Sequence, residues 1–168
     1  MNKGEKYQMG LIIECIIICV IMWTVCFLLT GNDYKNLNGL RSYPIEVQDI
    51  IKKNKKYKDK IKPINMIKVF ISNLVMFSII LFIFGLFIKA ENFIGNFINV
   101  LILGEILNLF DLVVIDLLWW RNTKRIRFSD IPEKEKYQNP KQHIGSFERG
   151  VIMYLIIAVI DGIILTVI

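Results

Sequence analysis

Four long apolar runs constrain this chain more than any other feature of it. Residues 9–30 carry one charge, Glu14; residues 69–88 carry none; residues 97–120 carry three acids and residues 151–168 one. A helix rises about 1.5 Å per residue, so roughly 20 residues match a hydrocarbon core about 30 Å thick. All four runs are long enough, the fourth only just. Spanning strands need only about 10 residues each and alternate in polarity, which these runs do not. Lipid offers the backbone no hydrogen-bonding partner, so the runs must satisfy their own amides and carbonyls as helices. The hydrophobic residues, 54% of the chain, are concentrated here rather than spread at the spacing a soluble core requires. The expected fold class is an all-α integral membrane protein, a four-transmembrane-helix bundle forming one domain over residues 1–168.

Lys3 and Lys6 precede the first run, as they would in a secretory signal. Its apolar stretch is longer than a signal core and no small-x-small cleavage site follows, so it is read as a retained span. The basic residues fall unevenly: two in 1–8, ten in 31–68, one in 89–96 and eight in 121–150. Lys and Arg close to spans stay on the cytoplasmic side. The expected topology therefore puts both termini outside a cell membrane and segments 31–68 and 121–150 in the cytoplasm.

Tyr43 to Lys53 reads as a short amphipathic cytoplasmic helix. Pro44 suits its first turn, Glu46 and Asp49 lie towards the positive end, and lysines gather at the other. Val47, Ile50 and Ile51 share one face, which suits a helix lying on the membrane. Lys52, Lys53, Lys55, Lys56, Lys58, Lys60 and Lys62 then form a polybasic run before Pro63. Such a run attracts anionic lipid head groups at about 1 kcal/mol per charge, although topology alone also accounts for it. Nucleic acid is not an expected partner, because the lysines lack interleaved aromatic or glycine-rich patterns. Segment 121–150 mixes charges and carries Pro132 and Pro140, so it reads as a solvated loop, with the only histidine, His143, as a surface residue.

The acids are distributed differently from the bases. Glu14, Glu105, Asp111, Asp116 and Asp161 lie within the apolar runs, whereas none of the 21 Lys or Arg does. An ionisable side chain at the bilayer centre costs roughly 2.5–3.5 kcal/mol on an insertion scale. On an α-helix Glu105, Asn108 and Asp116 share an arc of about 80°, with Asp111 about 60° to its side. Counted from the outer boundary, Glu14 lies about 8 Å deep, Asp161 about 10 Å and Glu105 about 12 Å. Glu105 and Asp161 are therefore expected to face each other. Such carboxylates either glue helices together through hydrogen bonds or handle cations and protons. Cys15, Cys19 and Cys26 share a face of the first span and read as small packing residues, and Trp119 and Trp120 as an interfacial anchor.

The runs Ser42-Tyr43-Pro44-Ile45-Glu46-Val47-Gln48 and Asn108 to Asp116 resemble segments of small four-span bacterial membrane proteins of no assigned activity. The resemblance implies a bacterial inner-membrane location and adds no chemistry. There is no His/Cys metal spacing, phosphate-binding glycine loop or nucleophile elbow, and no cofactor is expected. The leading functional expectation is a small transporter or transporter subunit, working as a homo-oligomer or within a larger membrane complex. Its intramembrane carboxylates would meet a cation or protons. An interaction or accessory subunit is the first alternative. A lipid-modifying enzyme using Asp111 and Asp116 as metal ligands is the second, disfavoured because an α-helix sets those residues about 140° apart.

Overall fold

A computed structural model describes residues 3–61, 63 and 65–168; the side chains of residues 3, 4 and 6 lie outside that description, as does Lys62 of the basic run. The described residues are helical or irregular, with no strand among them. The principal helices are α1 (Lys3–Leu28), α2 (Asp33–Asn38), α3 (Ile45–Lys53), α4 (Lys55–Lys58), α5 (Met66–Phe87), α6 (Phe93–Phe110) and α7 (Lys141–Val167). A π-helical stretch, Asp111–Trp120, continues the chain directly from α6. Among the described residues, four helices are long and apolar enough to cross a membrane.

The chain forms two compact units. The first comprises Met1–Ile21, Asn65–Leu109 and Glu148–Ile168. Its surface is apolar: Ile12 and Ile16 on α1, Ile67, Ile71, Val75 and Ile79 on α5, and Ile152 and Ile163 on α7 are all exposed. Its interior holds small and polar residues instead. A Cβ on Gly104 would meet Tyr154 at 2.7 Å, and one on Gly162 would meet the Phe97 backbone at 3.1 Å, so α6 and α7 approach closely where side chains are smallest. Buried asparagines satisfy backbone groups at the α5–α6 turn. Asn96 accepts from the Ala90 amide at 2.7 Å and donates to the Thr166 hydroxyl at 3.1 Å. Asn99 donates to the Ile88 carbonyl at 2.8 Å and also to the Tyr7 hydroxyl.

The second unit comprises Met22–Ile64 and Phe110–Phe147, bears out the short helix expected after Tyr43 and corrects the reading of segment 121–150 as a solvated loop. Leu40, Tyr43, Val47, Ile51, Tyr57, Trp120, Ile126, Phe128, Ile131 and Tyr137 form one aromatic-rich core. The apolar face of α3 is therefore covered by protein: Val47 and Ile51 are both 0% exposed. Segment 121–150 contributes four of these core residues, which a solvated loop would not bury. The Tyr43 hydroxyl donates to the Ile126 carbonyl at 2.7 Å, and the Tyr137 hydroxyl to the Ile131 carbonyl at 2.7 Å.

Asp33 ties the unit's surface together. Its carboxylate accepts from Lys56 Nζ at 2.8 Å, the Tyr57 hydroxyl at 2.6 Å, and the Ser129 hydroxyl and amide at 2.6 and 2.9 Å. Burial works against its charge, but these donors outweigh it and hold the carboxyl well below the usual carboxylate range. The C-terminal carbonyls of α1 meet cations, with Lys35 Nζ on Leu28 O at 2.8 Å and Arg125 Nε on Phe27 O at 3.2 Å. Gly31 follows at φ 115°, and a Cβ there would come within 2.7 Å of the Arg125 guanidinium. Glycine answers both demands.

Candidate functional site

The site grows from the π-helical stretch. In an α-helix residues five apart are turned well away from each other; where hydrogen bonds run from i to i+5 the turn is wider, and residues five apart move towards one face. The bond from the Arg121 amide to the Asp116 carbonyl, 3.4 Å, has that wider span. Asp111 and Asp116 therefore come to the same wall of one cavity, where α-helical geometry would have turned them well apart.

The opposing chemistry comes from α7. Asn139 accepts from the Lys141 amide at 3.1 Å and Pro140 follows it, so the helix starts ten residues before the apolar run. His143 thus lies on a helix rather than in a surface loop, and it is only 3% exposed. Its Nδ1 lies 2.8 Å from Asp116 Oδ2, which fixes the neutral tautomer as the one carrying hydrogen on Nδ1. Nε2 is buried with no hydrogen-bond partner. The Trp120 ring packs against the imidazole, centroids 4.7 Å apart. The partner of Asp116 is therefore a residue of α7, His143.

The cavity measures about 410 Å³ and lies wholly within the second unit. Met22, Cys26, Leu29, Ile115, Trp119 and Trp120 supply most of its apolar wall; Tyr43, Ser42, Asn36 and Ser146 add polar groups beside the acids and His143. Lys35 also reaches the lining, with its ammonium committed to the Leu28 carbonyl. Among the described residues no cationic side chain forms an ion pair with Asp111, and no three His, Cys, Asp or Glu side chains converge as a metal would require.

The other carboxylates are dispersed. Asp161 is 1% exposed on α7 and accepts from the Ser78 hydroxyl of α5 at 2.6 Å, so it joins two helices. Glu105 is half-buried and accepts from Asn108 at 3.4 Å. The expected meeting of Glu105 and Asp161 is corrected by helix register. Gly104 faces Tyr154 and Gly162 faces Phe97, so Asp161 lies level with residue 97, about 12 Å along the axis from Glu105. Glu14 is half-buried on α1 beside Cys15. Of the lysine run, Lys52, Lys53, Lys55, Lys58 and Lys60 are exposed, while Lys56 is bound to Asp33.

Sequence reasoning missed His143, Tyr43, Ser42 and Ser146 as site residues. The Asn139-Pro140 pair was the available signal: it marks a helix start, and His143 and Ser146 then share a face at i and i+3. Nothing in the sequence announces the π-helical stretch. Comparison with family models, with curated proteins and with solved structures finds no match.

Proposed function

We propose that this chain is a multi-pass cell-membrane protein, a small transporter or a subunit of one, whose cation- or proton-handling site is the Asp111–Asp116–His143 cavity. The observation that carries the reading is the convergence of two acids from the third apolar run on one cavity wall, one of them bonded to an imidazole. Carboxylates serving only as helix glue need no open volume beside them. Asp161, bonded to Ser78 and buried, fits the glue role instead. The exposed aliphatic rows support a lipid environment, and the eighteen Lys and Arg of segments 31–68 and 121–150 support their cytoplasmic placement with both termini outside. Four spans give a thin conduction path, which favours a homo-oligomer or a larger assembly. Exposed Lys52, Lys53, Lys55, Lys58 and Lys60 suit anionic head groups at the cytoplasmic face.

Proteoliposomes with an entrapped pH dye test the reading. An imposed cation gradient should drive a pH change that is lost in Asp111→Asn and Asp116→Asn and retained in Glu14→Gln. Traces matching empty liposomes for inorganic and organic cations alike would remove the transport assignment. The shared wall also removes the geometric objection to Asp111 and Asp116 acting together in a lipid-modifying enzyme. Lipid turnover lost on Asp111→Asn would move the assignment there.

A further inference from the structure

Resting on the reading of this cavity as the cation site, we propose that its ligand is an organic cation, an amine or onium head on an apolar body, rather than a bare inorganic ion. Size is the first argument. The cavity, about 410 Å³, falls in the range of about 300–1,000 Å³ that accommodates drug-sized molecules. A transition-metal site built from protein side chains gathers three or more His, Cys, Asp or Glu, and no such group occurs among the described residues. The wall is the second argument. Met22, Leu29 and Ile115 offer an apolar body an apolar surface, while Tyr43, Trp119 and Trp120 bring to the lining aromatic rings, the side-chain type that attracts cations.

Charge is the third argument. Asp111 and Asp116 face the cavity against one lysine, Lys35, whose ammonium already serves the α1 terminus. The His143 imidazole, buried in the same wall and hydrogen-bonded through Nδ1, orients Asp116 and leaves Nε2 unpartnered. An onium head beside the two carboxylates would offset one of their two charges without displacing that hydrogen bond.

The test is binding of tetraphenylphosphonium to the full-length protein in nanodiscs of neutral lipid. It is followed by quenching of tryptophan fluorescence, with triphenylphosphine oxide as the uncharged comparison. Saturable binding is expected, about tenfold or more tighter than that of the oxide. Asp111→Asn or Asp116→Asn should weaken it by about tenfold or more, and Asp111→Glu, which keeps the charge, should restore most of it. Monodisperse elution of each variant establishes folding, and the Asp111→Glu result separates lost charge from lost structure. Equal binding of the neutral oxide, or binding unchanged in both asparagine variants, overturns the inference. Competition distinguishes its failure from that of the transport reading. Cation-driven flux with sodium or potassium but no phosphonium binding removes the organic ligand and keeps the transporter. Carboxylate-dependent phosphonium binding without flux keeps the ligand class and removes transport.

Discussion

Asp33 concentrates more polar contacts than any carboxylate of the apolar runs, and its energetics have a definite sign. Its carboxyl is held well below the usual range by donors from Lys56, Tyr57 and Ser129, despite the opposing effect of burial. A carboxylate depressed in the folded state contributes stability that is fully present above its unfolded pKa of about 3.9. That contribution is lost as pH falls through the lower, folded value. Asp33→Asn should therefore cost about 1–2 kcal/mol at pH 7, because an amide returns one acceptor and points a donor at groups that also donate. Its deficit relative to wild type should shrink below about pH 4, where the carboxyl protonates in the unfolded chain while the folded one still holds its charge. Denaturant unfolding at pH 7 and pH 3, read from the Trp120 environment, checks both statements. An equal deficit at the two pH values would remove the ionic contribution.

At the scale of elements, helix contact in the first unit depends on what is missing from the side chains. Gly104 lets α6 settle against Tyr154 of α7, and a Cβ there would lie 2.7 Å from the ring and 2.9 Å from Tyr154 Cβ. The second of those atoms is anchored close to the backbone and gives way little. Gly104→Ala should consequently destabilise by about 1–3 kcal/mol despite alanine's better helix propensity. Gly10 offers the comparison: a Cβ there meets only Ile88, at an ordinary 3.7 Å, so Gly10→Ala should be neutral or slightly stabilising. Thermal unfolding midpoints of the two variants in one detergent, compared with wild type, decide the matter. Elsewhere the elements act through their ends. Asn65 accepts from the Ile67 and Lys68 amides to start α5, and Asn139 with Pro140 starts α7 early enough to carry His143 to Asp116.

At the scale of the molecule, the two units solve the burial problem in opposite ways. One keeps small and polar groups inside and aliphatic rows outside, as lipid favours; the other buries three tyrosines and Phe128 under a lysine-rich surface, as water favours. The proposed orientation follows that contrast and the basic-residue count. With the native cysteines replaced, Lys58→Cys should resist an impermeant thiol reagent in intact cells and Asn92→Cys should react, both positions being exposed. Labelling of Lys58→Cys from outside would invert the topology.

Composition and spacing alone determined the helical class and the four long apolar helices, because each helix satisfies its own backbone and depends only on local sequence. The amphipathic stretch that became α3 was legible for the same reason. What covers its apolar face was not, since Val47 and Ile51 share one core with Phe128 and Ile131 from a segment some eighty residues away. Register between helices was equally hidden: counting depth from each boundary set Asp161 beside Glu105, whereas glycine contacts shifted it to residue 97. The candidate site needed both kinds of tertiary information. A π-helical ladder carries no residue pattern that separates it from an α-helix, so only the folded chain brings Asp111 round to Asp116. Only the packing of α7 beside that stretch puts a lone histidine in contact with an acid twenty-seven residues before it.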